Sequence, residues 1–345
     1  MPGVFSVFNV GTSHTANEPN NTMAALGHDC LTRSDKKIND GPVGFFGMAF
    51  GAGMDSKCDS TVKAILARQA TVVNLAGHSR GGVLCYMIAN GLAAKKFPGQ
   101  VNIVVLDPVN MSSHTQKATE LRQGITLGLH VAIVMENVTN ILFPLTEVKP
   151  LNVQFRQKMI TYSMPGTHGS GTQPATSAIG KAVKGMIMFL MDRWGTSFGE
   201  PTPSLMELLE AFAAIHDENA VHYDEKTGLV KDRLIWDDKK GFGKSKDFSG
   251  AYQSVGRHEQ IGTIVTGTDF RDSPYFFNDF HAACFQVTFP AIWARLVGGP
   301  AYWAREDPKK GGRRDAHLRE LTADITKMNG CPNLKKSLAK LGMLD

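Results

Sequence analysis

The sequence is poor in cysteine, and its charge is only weakly unbalanced. Five cysteines are spread over 345 residues without a CxxC pair: Cys30, Cys58, Cys85, Cys284 and Cys331. An odd number at such spacings argues against a disulfide framework or a zinc ribbon and indicates a reducing compartment. The net charge of +5 is small for a chain of this size. We therefore expect no nucleic-acid partner.

Long uninterrupted apolar runs are also absent. The most apolar stretch, residues 124–145, is broken by His130, Glu136, Asn137 and Asn140. This stretch predicts a buried element better than a membrane span. The opening residues lack the basic start and apolar core of a secretory signal. The sequence predicts a cytoplasmic protein and leaves open export by a signal-less route, peripheral membrane contact and partner proteins.

Motifs for cofactors and metals fail on their spacing. Residues 239–245 approach the pattern of a phosphate-binding loop, but its first glycine would fall on Asp238. Gly51 and Gly53 lack the third glycine of a dinucleotide fingerprint, and the chain has no HExxH zinc helix. We therefore expect no cofactor and no metal.

The N-terminal half alternates short apolar runs with segments of helical length. Strands are predicted at residues 4–10, 71–76, 101–106, 130–135 and 152–162. Helices are predicted at residues 60–69, 82–96 and 175–194. This alternation is typical of the α/β class, in which helices cover a mainly parallel sheet.

The texture changes after about residue 195. A breaker cluster at residues 199–203 precedes Ser204 and Glu207, which have the spacing of a helix capping box. Helical spacing returns at residues 276–296 and 318–341. We expect these segments to belong to a helical cover.

Two regions follow from this change. We expect residues 1–195 to form the α/β core and residues 196–345 to form a cover of helices and loops that does not fold independently. The second region is rich in aromatic residues, among them Phe277 and Phe280. These side chains are expected to cover the functional site and line its pocket.

Most of the chemistry lies in residues 71–82, TVVNLAGHSRGG. Gly77, Ser79 and Gly81 form a G-x-S-x-G pattern between a predicted strand and a predicted helix. A serine in such a turn is strained, and the glycines on either side let the backbones approach closely. Its hydroxyl is expected to face solvent above the sheet, near a helix N-terminus that favours negative charge. The pattern predicts a nucleophile elbow.

Three further segments resemble parts of known enzymes. Residues 104–108, VVLDP, look like the acid-bearing segment of α/β-hydrolase lipases. Residues 164–169, MPGTHG, look like the histidine loop of a bacterial group that includes secreted lipase effectors. Residues 9–12, NVGT, are similar to the (D/N)GT motif of that group's oxyanion loop, with one residue inserted. Over residues 3–195 the chain resembles the α/β-hydrolase superfamily of serine hydrolases.

The resemblance implies Ser79 as nucleophile, Asp107 as acid and His168 as base, in the chain order that this fold uses. The chemistry agrees, because serine attacks only when a histidine takes its proton, and a carboxylate must orient that histidine. Glu136, after the next predicted strand, is the alternative acid. His281 is the alternative base.

The oxyanion is expected to be held by backbone N–H groups. One belongs to Arg80, the residue after the nucleophile, and the second belongs to Gly11 or Thr12 in the loop after the first strand. His78 is expected to form a wall of the site. The polar run at residues 12–21 is either part of the pocket or a solvated loop.

These features predict a serine hydrolase that cleaves a carboxylic ester through an acyl-enzyme intermediate. The ester is expected to be a lipid or another small acyl compound, with Phe277 and Phe280 in its acyl pocket. An acyltransferase or an amidase with the same triad is the alternative within enzymes. A non-catalytic binding module with this fold is the alternative outside them.

Overall fold

The computed structural model describes residues 3–31, 35–42, 53–109, 120–122, 124–135, 149–150, 158–164, 168–174, 178–220, 223–224, 229–230 and 323–340. The chain divides into two compact units. The first comprises Met1–Val134, Asn140–Ile160 and Gly171–Ser204, and the second comprises Met135–Thr139, Thr161–Ser170 and Leu205–Asp345. The boundary expected at residue 195 stays a prediction, because most of the chain after residue 220 lies outside the described residues.

The strands of the described residues form one large sheet and two small pairs. In chain order they are β1 (Val4–Asn9), β2 (Lys36–Asn39), β3 (Val72–His78), β4 (Gln100–Leu106), β5 (Glu120–Leu121), β6 (Thr126–Met135), β7 (Lys149–Pro150), β8 (Met159–Met164), β9 (Tyr223–Asp224) and β10 (Leu229–Val230). The large sheet has the order β2-β1-β3-β4-β6-β8. Its four pairings from β2 to β6 are all parallel.

Helices accompany the sheet in the first unit. They are α1 (Thr22–Asp29), α2 (Met54–Ala67), α3 (Arg80–Ala94) and α4 (Ala178–Arg193). Nearly every residue of α3 is buried, and this helix packs against β3 and α2, whereas α1 packs against β1 and α4. Helices therefore flank a mainly parallel sheet, and the predicted α/β fold class is confirmed.

The second unit contains α5 (Leu205–Ala220), a helical stretch at 323–327 and α6 (Pro332–Lys340). Helix α5 begins directly after Ser204, where the capping-box spacing placed its start. The Asp217 carboxylate accepts hydrogen bonds from the Leu334 backbone N–H at 2.8 Å and the Asn333 amide at 3.2 Å. This carboxylate satisfies the first turn of α6 and joins it to α5.

Most strands and helices of the first unit lie where the sequence predicts them, but their ends differ. Helix α2 begins at Met54, six residues before the predicted start, and β6 begins at Thr126, four residues before it. Two short elements were not predicted from the sequence: helix α1, which has eight residues, and strand β2, which has four. Helix α1 depends on a local cap, because the Asn21 side chain accepts hydrogen bonds from the first-turn N–H groups of Met23 and Ala24.

A ladder of buried polar side chains crosses the centre of the sheet. Ser6, Asn74 and Asn102 occupy paired positions on β1, β3 and β4. Asn102 donates to the Asn74 side-chain oxygen at 2.9 Å, and Asn74 donates to Thr196 Oγ1 at 2.9 Å and to the Trp194 carbonyl at 3.1 Å. A shift of register would leave these buried groups without partners, so the ladder fixes the alignment of the strands.

A buried histidine lies on the β6 side of the same core. His130 Nε2 is 3.1 Å from the Tyr86 hydroxyl, and both side chains are almost fully buried. Burial lowers the pKa of His130 to about 4 and raises the pKa of Tyr86 well above its usual value. The imidazole is therefore neutral in the folded protein at physiological pH.

This histidine makes stability depend on pH. Its folded pKa of about 4 lies below the unfolded value, so between the two values the unfolded chain binds more protons. Stability should fall by on the order of 2–3 kcal/mol between pH 7 and pH 4.5 because of this group. Urea unfolding at both pH values should show a flatter dependence for His130→Gln. Tyr86→Phe keeps the buried imidazole and should keep the slope; equal slopes for His130→Gln and the wild type would contradict the assignment.

Candidate active site

Ser79 joins β3 to α3 in a strained turn. Its backbone has φ +54° and ψ −122°, a conformation that non-glycine residues rarely adopt. The Ser79 N–H donates to the Leu106 carbonyl at 3.0 Å, and its carbonyl accepts from the N–H groups of Gly82 at 3.0 Å and Val109 at 3.3 Å. The turn is thus held from β4 and from α3. Ser79 as a whole is only 5% exposed, and the direction in which its hydroxyl faces stays a prediction.

The glycines around Ser79 are required by space. A Cβ on Gly77 would lie 2.5 Å from the Gly81 carbonyl carbon and 2.8 Å from Cys85 Sγ. A Cβ on Gly81 would lie 2.7 Å from the Val10 carbonyl oxygen and closer still to the carbonyl oxygen of Asn9. Neither glycine has a positive φ, so the constraint is the close approach of β1, β3 and α3.

Asp107 directly follows β4, just as Ser79 directly follows the neighbouring strand β3. The last paired residues of β3, β4 and β6 are His78, Leu106 and Ile133, which lie side by side. Asp107 follows directly with φ +41°, is 9% exposed and donates its N–H to the Ile133 carbonyl at 2.7 Å. Ser79 and Asp107 therefore leave adjacent strands at the same edge of the sheet, each with a strained backbone.

The loop after β1 leaves two backbone donors at this edge. Most N–H groups of residues 10–16 donate hydrogen bonds within the protein, namely those of Val10, Ser13, His14, Thr15 and Ala16. No described residue accepts a hydrogen bond from the N–H of Gly11 or Thr12. These are the two residues that the sequence proposed as oxyanion donors. Side chains further along the polar run bond to each other, since His14 Nδ1 lies 2.6 Å from Glu18 Oε2.

The residues on either side of Ser79 both contact this loop. Arg80 Nη1 donates to Thr12 Oγ1 at 3.3 Å, and the imidazole of His78 packs against Gly11. Both side chains are 4% exposed. Burial lowers the pKa of Arg80, but a guanidinium stays charged in proteins.

A buried polar network supports the turn from below. Asn9 Nδ2 donates to Cys85 Sγ at 3.2 Å, and Asn39 Nδ2 donates to Asn9 Oδ1 at 2.8 Å and to Thr61 Oγ1 at 3.1 Å. Burial raises the pKa of the Cys85 thiol to about 12, so this sulfur stays protonated and donates to the Gly81 carbonyl. Asn39 and Cys85 were not predicted from the sequence. Their hydrogen-bond partners are distant in the chain, and a single asparagine or cysteine forms no motif that indicates them.

The other predicted site residues belong to the second unit or lie outside the described residues. His168 lies in a turn after β8 and is half-buried, and it belongs to the second unit. The alternatives Glu136 and His281 lie outside the described residues, as do Phe277 and Phe280 of the expected acyl pocket. Among the described side chains no cluster of three or more His, Cys, Asp or Glu could hold a metal ion. None of the described helices combines the length and the apolar character that crossing a membrane requires.

Comparisons with known proteins find solved structures that are similar only at low sequence identity and low TM-score. No protein-family model matches the chain, and no curated protein matches it. The Tle1 effector bound to the VgrG spike of the type 6 secretion system is 12% identical over 50% of this chain and 51% of that chain, with a TM-score of 0.34. An uncharacterized protein from Pseudomonas aeruginosa is 11% identical over 99% and 66%, with a TM-score of 0.43. Human thioesterase 2 is 10% identical over 56% and 98%, with a TM-score of 0.31.

The class of fold follows from the chain's own topology. The chain spans about half the length of the Tle1 chain and 66% of the Pseudomonas protein, and the low identities carry no statement about activity. The parallel sheet, the flanking helices and the strand–Ser79–helix turn define a fold of the α/β-hydrolase type. The expected resemblance to that fold is confirmed, whereas the resemblance to lipase effectors stays a prediction.

The close approach at Gly81 can be tested by adding one methyl group. Gly81→Ala should lower the free energy of unfolding by about 3 kcal/mol, because the new Cβ meets backbone atoms that cannot move independently. Gly330→Ala is the matched control, since a Cβ at Gly330 meets no atom within 4 Å. Chemical unfolding of both variants gives the comparison. Equal stability of the two would show that β1 and α3 are not in such close contact.

Proposed function

We propose that the chain is a serine hydrolase that cleaves a carboxylic ester through an acyl-enzyme intermediate. The backbone of Ser79 carries this proposal. A serine held at φ +54° between a buried strand and a helix N-terminus is costly, and such strain persists only where the surroundings enforce it. Gly77 and Gly81 make the turn sterically feasible. The same arrangement presents the nucleophile in α/β-hydrolases.

Each member of the proposed triad has one role. Ser79 Oγ attacks the ester carbonyl while its proton passes to His168, and the imidazolium returns that proton to the departing alcohol. Water then attacks the acyl-enzyme while His168 takes its proton, and the imidazolium gives that proton to Ser79 Oγ as the acyl C–O bond breaks and the acid leaves. Asp107 orients the imidazole and stabilises its charged form.

The oxyanion is stabilised by backbone N–H groups of Arg80 and of Gly11 or Thr12. The loop residues support this role because their N–H groups donate to no described residue and follow β1, which pairs with β3. Arg80 begins α3, whose N-terminus favours negative charge. A single such donor is worth about 10²–10³ in kcat in comparable enzymes.

Asp107 is favoured as the acid over Glu136. It follows β4, the neighbour of the strand that Ser79 follows, and its φ of +41° indicates a constrained position rather than an ordinary strand end. Glu136 directly follows β6 and remains the alternative. His281 remains the alternative to His168 as base.

The proposed substrate is a lipid or another small acyl ester. Its support is the similarity of the segment around Asp107 to the acid-bearing segment of lipases, which is an argument by analogy. Transfer of the acyl group to an alcohol, or attack on an amide, would use the same triad. Cytoplasmic placement, signal-less export and contact with a membrane surface stay predictions from the sequence.

Removal of the nucleophile gives the decisive test. Ser79→Ala should lower kcat on an activated ester by about 10⁴–10⁶ while the melting temperature changes little, because only one oxygen is removed. Ser60→Ala, an exposed serine on α2, is the control and should react normally. A fluorophosphonate should label the wild type and Ser60→Ala but leave Ser79→Ala unlabelled. Ordinary turnover by folded Ser79→Ala would refute the proposed function, and an unlabelled wild type would favour a binding module.

The choice of base has its own test. His168→Ala should abolish the burst of alcohol release from an activated ester, because Ser79 then has no group to accept its proton. His281→Ala should keep the burst and affect mainly stability or substrate fit. Stopped-flow kinetics on both folded variants measures this difference. A full burst in His168→Ala with none in His281→Ala would transfer the role to His281.

A further inference from the structure

The peptide at Gly11 is confined from two sides. The three atoms nearest a Cβ built on Gly11 all belong to the His78 imidazole, with Nδ1 at 2.5 Å, Cε1 at 3.1 Å and Cγ at 3.5 Å. On the other side, a Cβ built on Gly41 would lie 2.6 Å from the Gly11 carbonyl carbon and closer still to its oxygen. The Gly41 N–H also donates to the His14 carbonyl at 3.0 Å, which keeps this segment against the loop.

Gly11 is a glycine because of the space that His78 occupies. Its φ is not positive, so an alanine would meet no conformational barrier of its own. The three atoms that a methyl group would meet first all belong to one side chain. The contact is therefore a specific pairing of a glycine with an imidazole.

The next residue of the loop is held by the other neighbour of the nucleophile. Arg80 Nη1 donates to Thr12 Oγ1 at 3.3 Å, and the Arg80 side chain is almost fully buried. His78 and Arg80 thus reach from either side of Ser79 to consecutive residues of the loop after β1. The turn at Ser79 and the loop after β1 are therefore held together by side-chain contacts, although about 65 residues separate them in the chain.

The N–H groups of Gly11 and Thr12 donate to no described residue, so contacts made by neighbouring groups of the loop must orient these two donors. Stabilisation of an oxyanion depends on donors that are already in place before charge develops. We propose that His78 and Arg80 are positioning residues that clamp the Gly11–Thr12 loop in the orientation required for oxyanion stabilisation. This proposal rests on the proposed function. It gives a role to the side chains at the two variable positions of the G-x-S-x-G pattern, His78 and Arg80, where the pattern itself requires no particular residue.

A double-mutant cycle on Gly11 and His78 tests the clamp. Gly11→Ala should push the loop off the ring and lower kcat on an activated ester about 10²-fold with little change in KM, because an oxyanion donor is displaced. His78→Ala removes the obstacle, so Gly11→Ala combined with His78→Ala should regain about tenfold in kcat over Gly11→Ala alone. Affinity for a trifluoromethyl ketone, whose adduct carries the oxyanion, should change in parallel with kcat.

Gly91→Ala provides the matched control. A Cβ at Gly91 would lie 2.9 Å from the Val62 side chain, so this glycine is also crowded by a side chain. Gly91 lies about 18 Å along the α3 axis from Ser79. This variant should lose stability and keep the wild-type kcat and ketone affinity. A fall in its kcat equal to that of Gly11→Ala would show that crowding anywhere slows the enzyme, and this would overturn the clamp.

The Arg80 contact is tested through its acceptor. Thr12→Val has nearly the same shape without the hydroxyl oxygen and should lower kcat about tenfold with KM unchanged, whereas Thr12→Ser keeps the acceptor and should recover most of this loss. Should Gly11→Ala fail to fold, His78→Ala and Thr12→Val carry the test by themselves. Wild-type kcat and ketone affinity in both would overturn the clamp. Activity of Ser79→Ala would instead refute the underlying function, so the two failures are distinguishable.

Discussion

The structure around Ser79 depends on one steric constraint, the close approach of three backbones. Strands β1 and β3 and the first turn of α3 come so near to one another that Gly77 and Gly81 have no room for a Cβ. The strained φ of Ser79 is maintained because hydrogen bonds from both sides of the turn hold it there. The same contact brings the end of β1, and thus the loop that begins at Gly11, beside Ser79.

Buried polar groups convert this contact into a fixed geometry. Apolar packing alone is indifferent to a small slide of one strand, whereas a buried amide that loses its partner costs about 1–3 kcal/mol. Asn9 and Asn39 join the ends of β1 and β2 to each other and to α2 and α3. The ladder through Asn74 and Asn102 does the same across the middle of the sheet. The register at the carboxyl edge is therefore specified twice.

The proposed chemistry uses what this edge offers. Adjacent parallel strands end side by side, so a serine after β3 and a carboxylate after β4 are neighbours without any special loop. The helix N-terminus and the loop after β1 supply backbone donors at the same place. The proposed cleavage of an ester would need a nucleophile, a carboxylate that orients the base, and donors fixed in advance. The residues proposed for these roles all closely follow a strand of the sheet or begin α3.

The sequence by itself determined the α/β class, most strands and helices of the first unit, and the glycine–serine–glycine turn, because each depends on residues close together in the chain. Hydrophobic runs and small residues carry that local information. The short elements α1 and β2 were not predicted, because eight and four residues are too few to show a clear hydrophobic period and their packing against β1 is a tertiary contact. Only the tertiary structure decided that Asn39 and Cys85 support the turn and that Ser79 is buried. It also decided that the side chains of His78 and Arg80 contact the loop at Gly11 and Thr12. These contacts join residues distant in the chain, and their geometry depends on strand order and register, which no local pattern encodes.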